Sequence, residues 1–187
     1  FALTGSHCFL EAVIPQLRNL INEGAVIFPI ISQAIDTTDT RYGSSDYWKK
    51  QLKDITGREP MTTMVETEPI GPQKLLDVLV VAPCTGNTLA KLANGITDTA
   101  VLFSVKAHLR NQLPVVLAIS TNDGLSMNAK NIGLLLNVKN LYMVPFGQDN
   151  PHSKPNSLMA KWELIPETIL YALKGKQYQP ILVAYNT

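Results

Sequence analysis

Short apolar runs alternate with stretches of helical periodicity along this 187-residue chain, and glycines mark many of the joints. That order constrains the fold more than any other feature, because strands separated by helices pair in parallel through right-handed crossovers. Phe1-Ala2-Leu3-Thr4 reads as a strand running into Gly5-Ser6, with its true start expected upstream. From His7 to Glu23, the residues Leu10, Val13, Ile14, Leu17, Leu20 and Ile21 keep the three-and-four spacing of an amphipathic helix, with Gly24 as its stop and a kink expected at Pro15. Ala25 to Ile31 reads as a strand covered on both faces, Ser44 to Thr56 as a helix closed by Gly57, and the residues on to Gly71 as loop or weak strand. A short helix from Gln73 to Leu76, a strand from Val78 to Ala82, a loop from Pro83 to Gly86 and a helix from Asn87 or Thr88 to Asn94 follow. The remaining readings are helix from Thr97 to Asn111, strand from Pro114 to Ile119, helix from Met127 to Asn137, strand from Leu141 to Val144 and helix from Glu163 to Leu173. The expected class is α/β, a three-layer, Rossmann-like arrangement with an open parallel sheet. It forms a single domain over 1–187, in which 148–156, containing Pro151 and Pro155, is an extended loop or lid.

Charge narrows the partners. Sixteen Lys+Arg against fifteen Asp+Glu leave a net charge of +1, which gives no electrostatic reason to expect nucleic acid. The longest apolar runs, Val78 to Ala82 and Leu113 to Ile119, fall far short of the roughly 18 residues of a membrane helix. Cys8 and Cys84 neither make a disulfide framework nor show metal-site spacing, so no metal and a cytoplasmic location are expected.

In an open α/β sheet, ligands bind beyond the carboxyl ends of the strands, so the residues just after each strand carry the functional information. Gly5 and Ser6 lead from a strand into a helix, where free amides suit a phosphate and Gly5 permits close approach; Ser6 equally serves as a plain helix cap. No G-x-G-x-x-G occurs there, so a mononucleotide fits better than a dinucleotide. Ser32 adds a hydroxyl to the same rim, or an ordinary turn bond. The third rim, Ala82-Pro83-Cys84-Thr85-Gly86-Asn87-Thr88, crowds small and amide-bearing residues into a strand-to-helix turn where a planar ligand can lie.

That turn resembles the Pro-Ala-Ser-Ala-Asn-Thr motif of the flavoprotein family of FMN-dependent cysteine decarboxylases. Pro83, Asn87 and Thr88 match it directly, and Cys84, Thr85 and Gly86 replace its central residues. Gly5, Ser6 and Ser32 also fit that family's FMN-phosphate positions. The resemblance implies bound FMN, a flavoprotein fold and a homo-oligomer, trimer or larger. Three further segments, Leu3 to Cys8, Thr37 to Gly43 and Asn122 to Leu125, resemble a branch of the family from spore-forming bacteria. That likeness implies work with a partner protein carrying NAD(P), forming an aromatic pyridine dicarboxylate in the mother cell of a sporulating bacterium.

The chain departs from the decarboxylases in two places. Their acid/base histidine corresponds to the stretch Glu68-Pro69-Ile70, where Pro69 handles no proton, and their substrate clamp corresponds to Ile119-Ser120-Thr121-Asn122, which keeps only the Asn. Asn122 and His7 are therefore the candidate catalytic residues, and Arg41 and Asn122 the candidate contacts to a dicarboxylate. Each also has a plain alternative: His7 as a polar helix start, Arg41 as a surface ion pair, Cys84 as an apolar filler. His108 and His152 read as solvated surface, and Lys106 with Arg110 as a solvated or subunit-contact face. Three activities stay open: an oxidoreductase component, a flavin-dependent decarboxylase, and a non-catalytic scaffold with a residual flavin pocket.

Overall fold

Seven strands form one sheet in the computed structural model, which describes residues 1–184. The strands are β1 (Ala2–Leu3), β2 (Ile30–Ile31), β3 (Leu79–Thr85), β4 (Val115–Thr121), β5 (Leu141–Met143), β6 (Phe146–Gly147) and β7 (Leu158–Ala160). Their order is β2-β1-β3-β4-β7-β6, with β5 also pairing β4. The pairs among β1 to β5 are parallel, as expected, and residues 79–84 of β3 and 115–120 of β4 are buried throughout. A strand buried on both sides needs helices over both faces, which is why these segments read as unbroken apolar runs.

Eight α-helices supply that cover: α1 (Leu10–Asn22), α2 (Gln33–Thr37), α3 (Ser45–Thr56), α4 (Met64–Thr67), α5 (Gly86–Ala93), α6 (Ala100–Arg110), α7 (Ala129–Leu135) and α8 (Ile165–Leu173). One group joins α1 to α3 and α8, and the other joins α6 to α4 and α5, with α7 against α5. The stripe Leu10, Val13, Ile14, Leu17 and Leu20 is the buried face of α1. Pro15 lies inside that helix on its exposed side, so the Glu11 carbonyl it cannot serve is turned toward water. Ser44 caps α3 by accepting from the Tyr47 amide at 3.1 Å, and Gly57, at φ 70°, closes it.

Several elements differ from the sequence reading. A hairpin of β6 and β7 leaves no signal in the sequence: β7 runs antiparallel to β4 at Ser120 and Thr121, and 148–156 lies in the connection between its strands. Strands of two or three residues are too short to show a period. The apolar stretch from Ala25 to Ile31 contributes only Ile30–Ile31 to the sheet, since Pro29 has no N–H to give and Val26 is exposed. Residues 73–76 are turn and coil with Lys74 at φ 47°, whereas 64–70 holds α4 and a 3-10 turn, Glu68–Ile70. The capping box of Thr63 and Glu66 that starts α4 is visible in the sequence as T-x-x-E. Strand β3 runs through Pro83 to Thr85, with a register shift between Val81 and Cys84, where a loop was expected. His108 is a correction: it is 0% exposed within α6, not solvated, because its helix position falls on the face packed over the sheet. His152 is exposed.

Candidate functional site

The carboxyl ends of β1 and β3 are stitched together by Thr4, which is buried. Its amide and hydroxyl both donate to the Pro83 carbonyl, at 3.3 and 2.7 Å, and its hydroxyl accepts from the Thr85 amide at 3.0 Å. On the other side the Ser32 amide donates to the Leu3 carbonyl at 3.0 Å. The chain leaves β1 for β2 in one direction and reaches β3 in the other, so the strand order reverses here and the loops splay apart. A cleft of about 370 Å³ opens at this point, within the size range of small-molecule sites.

Gly5, Ser32, Thr85, Asn87 and Thr88 line the cleft together, so the three rims singled out in the sequence meet at one place. The Ser32 hydroxyl is buried without a hydrogen-bond partner and does not cap α2, although Ser32 occupies the capping position. An unpaired buried hydroxyl costs about 1–3 kcal/mol, a cost that a partner atom brought by a ligand would relieve. At Gly5 a Cβ would lie 2.8 Å from the Ala34 Cβ, so only glycine lets α2 close over the end of β1. Thr85 caps α5 by accepting from the Thr88 amide at 3.3 Å, while the two hydroxyls stand 2.9 Å apart. The side chain of Asn87 is exposed.

Other candidates lie apart from this lining. The Ser6 hydroxyl donates to the Ser120 carbonyl at 3.3 Å, and the Pro83 carbonyl is occupied by Thr4. Cys84 is buried in the core, and burial pushes its thiol far up, which keeps it protonated and inert. His7 stands in a 3-10 turn with a buried, unpartnered Nδ1. Burial lowers its pKa, partly offset by the Ala34 backbone, so the imidazole is neutral at pH 7. Arg41 is exposed, donating to the Tyr42 hydroxyl at 2.6 Å with its guanidinium 4.8 Å from that ring's centre. Asn122 is exposed and accepts from the Ser157 hydroxyl at 3.4 Å.

Sequence reasoning missed half of the cleft wall. Lys91, Thr99, Val101 and Leu102 face it from α5 and the start of α6, and Gln33 and Ala34 from α2. Lys91 is the cation of the cleft lining, with Asp98 2.6 Å from its amine. One turn beyond the Asn87-Thr88 motif, its i+3 spacing from Thr88 was the available signal. A second polar cluster was also missed, on the loop after β4. Thr121 donates to Asp123, the Asn128 amide donates to both Asp123 oxygens at 2.9 Å, and the Asn131 amide donates to the Asn128 oxygen at 2.9 Å. Burial works against the Asp123 carboxylate, but the bonds from Thr121 and Asn128 win and hold its pKa below the usual range.

Comparison with known proteins bears on the family and the fold. The profile of the Flavoprotein family matches residues 1–170. The B subunit of dipicolinate synthase from Bacillus subtilis (strain 168) is 50% identical over 183 residues, covering 98% of this chain and 92% of that protein. The crystal structure of the dipicolinate synthase B subunit from Bacillus halodurans superposes with a TM-score of 0.91 at 49% identity, covering 100% of this chain and 95% of that one. An FMN-dependent cysteine decarboxylase, SpaF, shares the fold at a TM-score of 0.66 and 19% identity, over 92% of this chain and 93% of its own.

Proposed function

Because this chain belongs to the flavoprotein family, we propose that its cleft holds FMN and that it acts as the B subunit of a dipicolinate synthase. In this reading it works with the NAD(P)-dependent A subunit of dipicolinate synthase to oxidise dihydrodipicolinate, or its precursor, to dipicolinate in the cytoplasm of a sporulating mother cell. The observation that carries it is Ser32, a residue with an unpartnered hydroxyl in the lining of a cleft at the reversal of strand order.

The residues present fit the cofactor. Ser32 and the backbone at Gly5 would take the phosphate, Lys91 would offset its charge, and Asn87 and Thr88 would contact the rest of the molecule, with Ser6, Pro83, Cys84, Thr85 and Gly86 holding that wall in shape. Bound FMN supplies a two-electron acceptor. Aromatising a dihydropyridine removes a hydride and a proton, and His7, held neutral by burial in the turn after β1, would take the proton. Arg41 forks onto one substrate carboxylate and Asn122 offers an amide to the other. Decarboxylase chemistry is the weaker reading, since Pro69 sits in a helical turn where that chemistry needs a proton carrier. A homo-oligomer completes the proposal.

The test is Ser32→Ala. Losing a buried hydroxyl that bonds nothing leaves the unliganded chain at least as stable as before, while FMN affinity, read by fluorescence quenching, falls about fivefold or more. Equal FMN affinity in variant and parent, or no FMN binding by the parent, refutes the flavin reading. Dipicolinate formation by the two subunits mixed, absent with either alone, tests the reaction and separates a catalytic role from that of a scaffold.

A further inference from the structure

We infer that Asp123 is a positioning residue that locks the loop after β4 to the first turn of α5, and so fixes the spacing between Asn122 and Asn87; this rests on the flavin reading above. The observation is the packing at Gly86, the first residue of α5. A Cβ added there would meet the Thr121 hydroxyl inside contact distance, the Asn128 amide at 2.7 Å and the Asp123 carboxylate at 2.9 Å. The start of α5 is thus seated on the polar cluster itself, with no gap between them.

The cluster has a fixed direction. An ionised carboxylate only accepts, so the Asn128 side chain must turn its NH₂ to Asp123 and its oxygen away, where the Asn131 amide supplies a donor. The Asp123 backbone carbonyl accepts from the amides of Ser126 and Asn128, at 3.0 and 3.1 Å, which closes the loop into a rigid turn. Half-buried charge-assisted bonds of this kind are worth more than neutral ones, and removing their common acceptor strands several donors at once. One carboxylate therefore holds the loop that presents Asn122 and abuts the helix start that presents Asn87. Neither Asn needs to touch it for its placement to depend on it.

Two measurements on Asp123→Ala and Asp123→Asn test this. The first is amide hydrogen exchange of the unliganded chain: Gly86, Asn87 and Thr88 should exchange about tenfold faster in D123A and less so in D123N, with Val80 and Val81 unchanged. No acceleration at Gly86 to Thr88, or an equal one along β3, overturns the inference. The second is FMN titration: D123A should bind about tenfold more weakly, with a shifted visible band for the bound flavin, and affinity and band equal to the parent's overturn it. A parent that binds no FMN sinks the flavin reading alone, because the exchange experiment still decides the role of Asp123. Should D123A fail to fold, D123N carries both measurements, and a D123N indistinguishable from the parent overturns the inference.

Discussion

His108 offers a sharp test of how burial sets stability in this protein. Its ring is 0% exposed in α6, and neither nitrogen has a well-formed hydrogen bond. Burial drives its pKa down to about 4, against partial offsets from the backbone of Pro114 and Asp77 and from the Asp77 carboxylate. The folded pKa is depressed from the ordinary 6.5, so the fold holds the neutral ring. Stability is then complete above pH 6.5 and is lost as pH falls toward 4, because the unfolded chain takes up the proton first. Linkage gives a loss of about 2 kcal/mol by pH 5 and about 3 kcal/mol by pH 4 from this one group. His108→Leu removes both the titration and the unpaired polar atoms at similar size. In urea unfolding the variant should be level with or ahead of the parent at pH 8, and its lead should grow by about 2 kcal/mol between pH 8 and pH 5. Carboxylates and His7 titrate in both chains and cancel in the comparison. Parallel curves of stability against pH would refute the reasoning.

Three further outcomes are expected. Asn87→Ala should weaken FMN binding by about 1–3 kcal/mol, read by retention of flavin during gel filtration and by titration, with the unfolding midpoint unchanged because the side chain is exposed. Arg41→Ala should raise the KM for the dicarboxylate precursor about tenfold in a mixture of both subunits while leaving FMN affinity alone, since Arg41 does not line the cleft. Gly147→Ala should destabilise the chain by about 1–3 kcal/mol, because the added Cβ runs into the Val183 carbonyl of the segment that pairs with β6 through the Phe146 and Val183 amides. Faster exchange at those two amides would accompany it.

The parallel strands were legible because each is a local event. Val80 to Ala82 and Val115 to Ile119 are apolar without interruption, which only double-sided burial explains, and α1 shows its buried stripe in its spacing. The rims were legible for the same reason, since Gly5, Ser32 and Asn87-Thr88 each follow a strand directly. The β6–β7 hairpin was not, because its pairing with Ser120 and Thr121 joins residues some forty apart, with strands too brief to leave a pattern.

The order of elements, the flavoprotein likeness and the three rims follow from the linear order of the residues, since periodicity and strand-end chemistry are written in near neighbours. Tertiary structure alone decided that Ser32 has no partner, that His108 is dry, that Cys84 belongs to the core and that Asp123 is braced against Gly86. Each of these depends on what a side chain meets across the fold, and desolvation and packing are properties of that meeting, not of the residue itself.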